Sequence, residues 1–165
     1  MSEYTFISKD RVVKFIIPVE MYESLCLKVR TALPNETGGI LCGHYSADLN
    51  TAKVSRVIGN TKDSGRGTSF LRDGKFITKE LAKLWKDSGG KEYYIGDWHS
   101  HPYSNPMPSQ RDEQNMIEIA NENAEQCHTP ILLIIGNEMR SSHSDVTVHA
   151  YYKDRTIRLF DETLR

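Results

Sequence analysis

Apolar residues follow two different spacings along this chain, and together these spacings predict a mixture of helices and strands. In three segments apolar side chains recur at steps of three and four residues, which is typical of amphipathic helices. The predicted helices span residues 19–33, 77–85 and 109–126. Pro34-Asn35 ends the first helix, and Gly89-Gly90 ends the second. The inward-facing positions expected on the third helix are Met116, Ile117, Ala120 and Ala124.

The other apolar runs are short and rich in β-branched or aromatic residues, which favours strands. The predicted strands span residues 12–17, 40–45, 52–58, 92–101, 130–135, 146–152 and 156–160. Short turns separate the second from the third strand and the sixth from the seventh, so each of these pairs is expected to form a hairpin. We expect 12–17 to be the first strand, 130–135 to be central because it is the most apolar, and the C-terminal hairpin to lie at a sheet edge.

Two loops are long enough to shape a binding groove. Residues 59–74 contain four glycines, and residues 102–108 contain three prolines. No internal repeat, low-complexity tract or linker interrupts the pattern. The sequence therefore predicts a single α/β (α+β) domain that spans residues 1–165.

Composition and charge exclude several functions. The chain has 165 residues, of which 38% are hydrophobic and 26% are charged, so it is too apolar to be disordered. Its 21 Lys and Arg residues balance 22 Asp and Glu residues, and the formal charge is −1. Binding to nucleic acid needs a basic surface excess, so no nucleic-acid partner is expected.

The expected compartment is the cytoplasm. No apolar run approaches the roughly 20 residues of a membrane span, so no membrane partner is expected. The first residues, Met1-Ser2-Glu3-Tyr4, do not resemble a secretory signal. Three scattered cysteines without a Cys-x-x-Cys pair favour reduced thiols, as in a cytosol: Cys26, Cys42 and Cys127.

The strongest chemical signal is the run from His99-Ser100-His101-Pro102 to Asp112. Side chains alternate along a strand, so His99 and His101 are expected on one face, where they can share a metal ion. After Pro102, Ser109 can cap a helix whose first turn carries Asp112. Two imidazoles and a carboxylate make three N/O ligands, which is the number that a catalytic zinc site uses while it leaves the fourth position for water.

A hydrolytic metal site also needs a base and groups that stabilise charge. Glu36 is the candidate general base, because it precedes an apolar strand and is followed by Thr37-Gly38-Gly39, where the glycines permit close approach. Ser109 could donate a hydrogen bond to a developing oxyanion. Asp97 is expected on the same strand face as the histidines and could orient one of them.

Each part of this pattern also has an ordinary explanation. A single His-x-His on a strand is usually a surface pair, and Ser109 with Asp112 forms a variant of the helix capping box. The composite spacing decides between the two interpretations. From the numbers of His, Ser and Asp, His-x-His-x7-Ser-x2-Asp should occur by chance in roughly one chain in a thousand of this length. Capping and metal binding by Asp112 are also compatible.

This arrangement resembles the JAMM (MPN+) metalloprotease family, whose motif is an upstream Glu followed by His-x-His-Pro-x6-Ser-x2-Asp. All six positions match: Glu36, His99, His101, Pro102, Ser109 and Asp112. The resemblance implies a curved mixed β-sheet flanked by about three helices. It also implies one Zn²⁺ per chain, bound by both histidines and Asp112, with Glu36 as acid/base. Ser109 would then stabilise the tetrahedral intermediate.

The same resemblance implies hydrolysis of amide or isopeptide bonds, typically at the C-terminus of ubiquitin or a ubiquitin-like modifier. The short Glu-Thr-Gly-Gly and Gly-Asp-Trp-His-Ser-His-Pro segments look most like the compact prokaryotic branch. Some members of that branch accompany E1- and E2-like ligases in anti-phage operons and cleave the conjugates of the ligase. We therefore expect a conjugated protein substrate and, in the same operon, an E1/E2-like ligase with its target.

Two alternatives remain open at this point. The protein could process a sulfur-carrier or another small protein precursor, a choice that residues 59–74 would decide. It could instead be a non-enzymatic assembly module, the role of inactive relatives. The complete set of ligand and base residues argues against the assembly module.

Overall fold

The computed structural model describes residues 2–59, 74–136 and 145–162, and within these ranges it contains three helices and eight strands. The helices are α1 (Val19–Ala32), α2 (Gly74–Asp87) and α3 (Gln110–Glu122). The strands are β1 (Glu3–Ser8), β2 (Lys14–Pro18), β3 (Gly38–Tyr45), β4 (Thr51–Gly59), β5 (Tyr93–His101), β6 (Ile131–Gly136), β7 (Val146–Tyr152) and β8 (Arg155–Asp161). The predicted elements are confirmed in type. The predicted loop 59–74 lies outside the described residues except for its two ends.

The strands form one mixed sheet that closes on itself in the order β1-β2-β4-β3-β5-β6-β7-β8. Both predicted hairpins are confirmed, because β3 pairs antiparallel with β4 and β7 pairs antiparallel with β8. The parallel neighbours are β2 with β4 and β5 with β6. The α/β (α+β) fold class with a curved mixed sheet and three helices is therefore confirmed.

Two expectations about the ends of the sheet are wrong. The first strand is β1, which precedes the segment predicted as first, and it pairs with both β2 and β8. The C-terminal hairpin is not an edge, because Phe6 to Ser8 pair with Leu159 to Asp161. This pairing joins residues about 150 positions apart in the chain, so no local pattern reveals it.

Alternating side chains divide the core into an inner and an outer layer. Leu41 and Leu133 point into the interior of the sheet, where α1 adds Leu25 and Val29 to the same cluster. On the outer face, Ile40, Cys42 and Ile58 pack under Ile77 and Leu84 of α2, whereas Leu132, Ile134 and Tyr151 pack under Met116 and Ala120 of α3. The central position predicted for 130–135 agrees with β6, whose six residues are all buried between β5 and β7.

The third helix is shorter than its apolar pattern predicts. It ends at Glu122, so Ala124 lies beyond it and is exposed instead of facing inward. Asn123 is the C-cap: its backbone N–H makes the last helical hydrogen bond, to the carbonyl of Ile119, and its side-chain Nδ2 donates to the same carbonyl. A short polar side chain that competes for the carbonyls of the last turn is a known helix terminator.

Two further features concern the helices and the cysteines. None of the helices in residues 2–59, 74–136 and 145–162 is both long enough and apolar enough to cross a membrane. Cys26, Cys42 and Cys127 are all free thiols, as predicted.

His149 is a buried polar residue on the outer face of β7. It lies opposite Leu132 of β6 and Arg158 of β8, and its Nδ1 has no hydrogen-bond partner among the described residues. Burial, and after it the positive charge of Arg158, lower the pKa of His149 to about 4, and the carboxylate of Glu113 opposes both effects. The folded protein therefore keeps this imidazole neutral at pH values where the unfolded chain protonates it.

The protein should accordingly lose stability in mild acid through His149. An unfolded histidine titrates near pH 6.5, so this contribution is constant above that pH and is lost progressively down to about pH 4. Between pH 7 and pH 5 the loss should be about 2 kcal/mol. Urea unfolding should show a steeper decrease for the wild type than for His149→Leu; equal slopes would contradict the prediction.

Candidate metal centre

An irregularity in β5 places the motif histidines on the outer face of the sheet. Along β3, Leu41 pairs with Gly96, but the next residue, Cys42, pairs with Tyr94, so β5 holds one extra residue at this point. Such a bulge changes which face the following side chains occupy. Trp98 then points into the core, as predicted, while His99 and His101 lie on the opposite face.

Asp112 reaches the histidines from the first turn of α3. Ser109 caps this helix, and the predicted capping box is confirmed: the Ser109 hydroxyl accepts from the Asp112 N–H at 3.2 Å, and the Asp112 carboxylate accepts from the Ser109 N–H at 2.7 Å. The loop 102–108 before the helix is attached to β7 at Pro106, because the Thr147 hydroxyl donates to the carbonyl of Pro106. The loop and the cap together bring the carboxylate to the face of β5.

The ligand atoms of His99, His101 and Asp112 lie within 4.8 Å of one another. The two Nε2 atoms are 3.1 Å apart, and the carboxylate oxygens Oδ1 and Oδ2 of Asp112 lie 3.5 Å and 3.7 Å from the Nε2 atoms of His99 and His101. Ligands that bind a tetrahedral zinc ion at 2.0–2.1 Å are roughly 3.3 Å from one another. The three side chains therefore fit a zinc ion, and the structure brings together the residues that the motif predicts.

The tautomer of His101 also suits a metal ligand. Its Nδ1 lies 3.1 Å from the carbonyl oxygen of Asn105, which can only accept, so Nδ1 carries the hydrogen and donates it. The lone pair is then on Nε2, which faces His99. A ring held in this way by a backbone carbonyl is the usual arrangement around metal-binding histidines.

Electrostatics at the site favour an ionised carboxylate beside the imidazoles. Burial alone would raise the pKa of Asp112, but hydrogen bonds with His101 and His99 outweigh it and hold this pKa well below its usual value. The same interaction with Asp112 raises the pKa of His101, against the opposing effect of burial. An anionic oxygen next to two imidazole nitrogens is an attractive environment for a divalent cation.

Ser109 is close to the site, but its hydroxyl is already engaged. The Ser109 Oγ donates to Oδ2 of Asp112 at 2.7 Å. A serine hydroxyl has one hydrogen, so it cannot donate at the same time to a substrate oxygen. The predicted contact with an oxyanion therefore requires the hydroxyl to rotate away from Asp112.

Glu36 lies just before β3 and faces the metal site. Gly38 pairs with His99, and the Ser100 N–H donates to the carbonyl of Thr37 at 2.8 Å, so the pairing continues to Thr37 and brings the preceding Glu36 near the histidines. Burial raises the pKa of the Glu36 carboxyl, the two histidines lower it, and Asp112 raises it. A carboxyl with a raised pKa near bound substrate suits proton transfer at neutral pH.

The two glycines after Thr37 allow close approach of backbone to backbone. A Cβ at Gly38 would lie 2.6 Å from the carbonyl oxygen of Trp98 and 2.9 Å from the Cβ of His99. One at Gly39 would lie 2.4 Å from the carbonyl oxygen of Ile58. Any side chain at Gly38 would push β3 away from the strand that holds the histidines.

Two contacts at the site involve residues to which the sequence analysis gave no role. Ser100, between the histidines, is fully buried, and its Oγ accepts from the Thr37 N–H at 3.0 Å. Asn105 fixes His101 through its backbone, a role that carries no side-chain signal. Asp97 differs from these two residues, because the sequence predicts that it orients a histidine. Its carboxylate accepts a 3.1 Å hydrogen bond from the hydroxyl of Tyr94.

Comparisons with known proteins agree with this geometry. A family model described as prokaryotic homologs of the JAB domain matches residues 18–149. The solution structure of a Desulfitobacterium hafniense protein superposes with a TM-score of 0.61 at 21% identity, over 86% of this chain and 87% of that one, which shows a shared fold.

Two relatives are similar along most of the chain. The CD-NTase/cGAS isopeptidase of Enterobacter hormaechei subsp. hoffmannii (strain UCI 50) is 34% identical over 145 residues, which cover 87% of this chain and 79% of that protein. The probable metalloprotease y4qB of Sinorhizobium fredii (strain NBRC 101917 / NGR234) is 27% identical over 121 residues, 72% of this chain and 73% of that protein. Both names support a hydrolase of JAB type, and the predicted resemblance is confirmed. On the family match and these relatives, the chain belongs to the prokaryotic JAB-domain family.

Proposed function

We propose that this protein is a zinc-dependent isopeptidase that hydrolyses the amide bond after the C-terminus of a ubiquitin-like modifier or a ligase-conjugated protein. The observation that carries the proposal is the convergence of His99, His101 and Asp112 on one point, with Glu36 close enough for its charge to interact with all three. Three N/O ligands leave a coordination position open, as in catalytic zinc sites. When bound, zinc supplies a Lewis acid that polarises a carbonyl and lowers the pKa of a water molecule.

The side chains of the protein divide the remaining work. Glu36 removes a proton from the attacking water and later delivers it to the leaving amine, a use that its raised pKa favours. Ser109 turns its hydroxyl from Asp112 toward the oxyanion of the tetrahedral intermediate. Each such hydrogen bond contributes a few kcal/mol in well-studied hydrolases.

One of the two relatives supports a conjugated protein as the substrate. It is named an isopeptidase of CD-NTase/cGAS, so we propose that this chain removes a nucleotidyltransferase of that kind, joined through its C-terminus to a target by an E1/E2-like ligase. This role places the protein in anti-phage defence. Processing of a linear precursor is the second candidate, because the other relative is named simply a metalloprotease.

An extended substrate tail needs a strand edge on which to lie. The sheet closes between β1 and β8, but β4 pairs with β2 only from Thr51 to Lys53. Among the residues that the structure describes, the later part of β4 therefore has no strand partner on the side away from β3. This edge ends at Gly59, opposite Gly39 and next to the pair of Gly38 with His99. We propose that the tail pairs here and runs toward the metal.

Glu36→Gln should abolish cleavage and leave the zinc in place. Loss of a general base costs typically 10²–10⁴-fold in rate, so a modifier–cargo fusion should be cleaved at least about 100-fold more slowly. Zinc content, measured by atomic absorption, should remain near one ion per chain, whereas the control His101→Ala should lose the metal. Undiminished cleavage by Glu36→Gln, or a wild-type protein that binds no zinc, would contradict the proposed mechanism.

The linkage in the substrate distinguishes the two candidate functions. An isopeptidase should cleave a conjugate joined through a lysine side chain, and a precursor-processing peptidase should prefer the same two proteins joined as a linear fusion. Their kcat/KM values can be compared by gel densitometry with identical flanking residues. A preference for the linear fusion of tenfold or more would favour precursor processing over deconjugation.

Ser100→Ala tests whether the strand pairing holds Glu36 in place. This change leaves the buried Thr37 N–H without its acceptor, which should lower the free energy of unfolding by about 1–3 kcal/mol and lower kcat/KM beyond what the lost stability explains. The matched control is Ser46→Ala, because the Ser46 Oγ likewise accepts a backbone N–H, that of Thr51, at the far end of β3. If both variants show the same activity at a temperature where both are folded, Ser100 does not position Glu36.

A further inference from the structure

Glu113, the residue after Asp112, joins the start of α3 to a distant part of the sheet. Its Oε1 accepts a 3.2 Å hydrogen bond from the hydroxyl of Tyr151, and its Oε2 accepts a 2.7 Å hydrogen bond from the hydroxyl of Thr156. Tyr151 is fully buried in β7, and Thr156 lies in β8. One carboxylate thus bridges two strands that are 38 and 43 residues away in sequence.

The three ligand side chains are not held equally firmly. His99 and His101 lie on β5, which pairs with β3 on one side and β6 on the other. Asp112 instead follows the loop 102–108, and the nearest buried side chain of its own helix is Met116, one turn further on. The helix cap fixes Asp112 relative to Ser109, but both belong to the same turn and move together. The contacts of Glu113 with β7 and β8 attach that turn to the sheet.

We propose that Glu113 is a positioning residue for the metal centre: its bridge to Tyr151 and Thr156 holds the first turn of α3 where Asp112 completes the ligand set. This inference rests on the proposed function, because it assumes a metal ion bound by His99, His101 and Asp112. Partners outside the ligand shell that orient a ligand typically change metal affinity 10–100-fold when they are removed.

A second role for Glu113 must be separated from this one. A carboxylate in the first turn of a helix interacts favourably with the helix dipole whatever it touches. Glu113→Asp keeps this charge but shortens the side chain by one methylene, so it should be unable to reach both hydroxyls. The dipole role predicts that Glu113→Asp behaves like wild type, whereas the bridge predicts that it behaves like Glu113→Ala.

The experiment measures zinc affinity by competition with a chromophoric chelator, together with thermal unfolding of the metal-free proteins. Glu113→Ala, Glu113→Asp and the double variant Tyr151→Phe/Thr156→Val should each weaken zinc binding about 10–100-fold. Adding Glu113→Ala to the double variant should weaken it little further, because all three changes break the same bridge. The control Glu118→Ala changes an exposed carboxylate of the same helix and should leave the affinity unchanged.

The outcomes separate the positioning role from the proposed function. A wild-type protein that binds no zinc contradicts the proposed function, and the inference that rests on it falls too. Zinc binding by the wild type with an affinity within twofold in Glu113→Ala and Glu113→Asp overturns the positioning role alone. If Glu113→Ala does not fold, Thr156→Val at an exposed position still removes the 2.7 Å hydrogen bond and should weaken zinc binding. Unchanged affinity in that variant also overturns the role.

Discussion

β3 and β5 pair so closely that only glycine fits at Gly38, and this contact sets where Glu36, His99 and His101 lie. The pairing puts Gly38 against His99, and Glu36, two residues before Gly38, interacts with both histidines, so the proposed base and two of the proposed ligands depend on one backbone contact. The buried Ser100 adds a side-chain hydrogen bond to the same register. A shift of one residue would turn every side chain of the strand to the other face, so the chemistry depends on backbone geometry first.

The third ligand has a different origin, and this explains how the site is assembled. Asp112 comes from a helix, and its place depends on a cap, on the loop 102–108 and on the bridge made by Glu113. The proposed site therefore combines two side chains from one paired strand with a carboxylate that a helix cap and side-chain hydrogen bonds hold.

Local patterns reveal much of this molecule. The spacing of His99, His101, Ser109 and Asp112 predicts which side chains meet, and the apolar periodicity predicts the type of three helices and seven of the strands. Most of the parts that these patterns miss depend on contacts distant in sequence: β1 pairs with β8, and the bulge in β5 is a shift in its register with β3. The end of the third helix is a local exception, because Asn123 is its C-cap and leaves Ala124 outside. The proposed roles of Glu36 and Ser109 depend on substrate, which a folded chain alone does not contain.

The seam between β1 and β8 has a consequence for synthesis. Phe6 pairs with Asp161, so the sheet cannot close until Asp161 has left the ribosome. β5, which carries both motif histidines, pairs by contrast with β3 and β6, and all three strands are made before residue 137. Pairing two strands so distant in sequence is slow, because the chain between them loses conformational entropy before the contacts of the two strands stabilise the pair. The nascent chain should therefore pair the strands around His99 and His101 first and complete the sheet only after Asp161 has emerged.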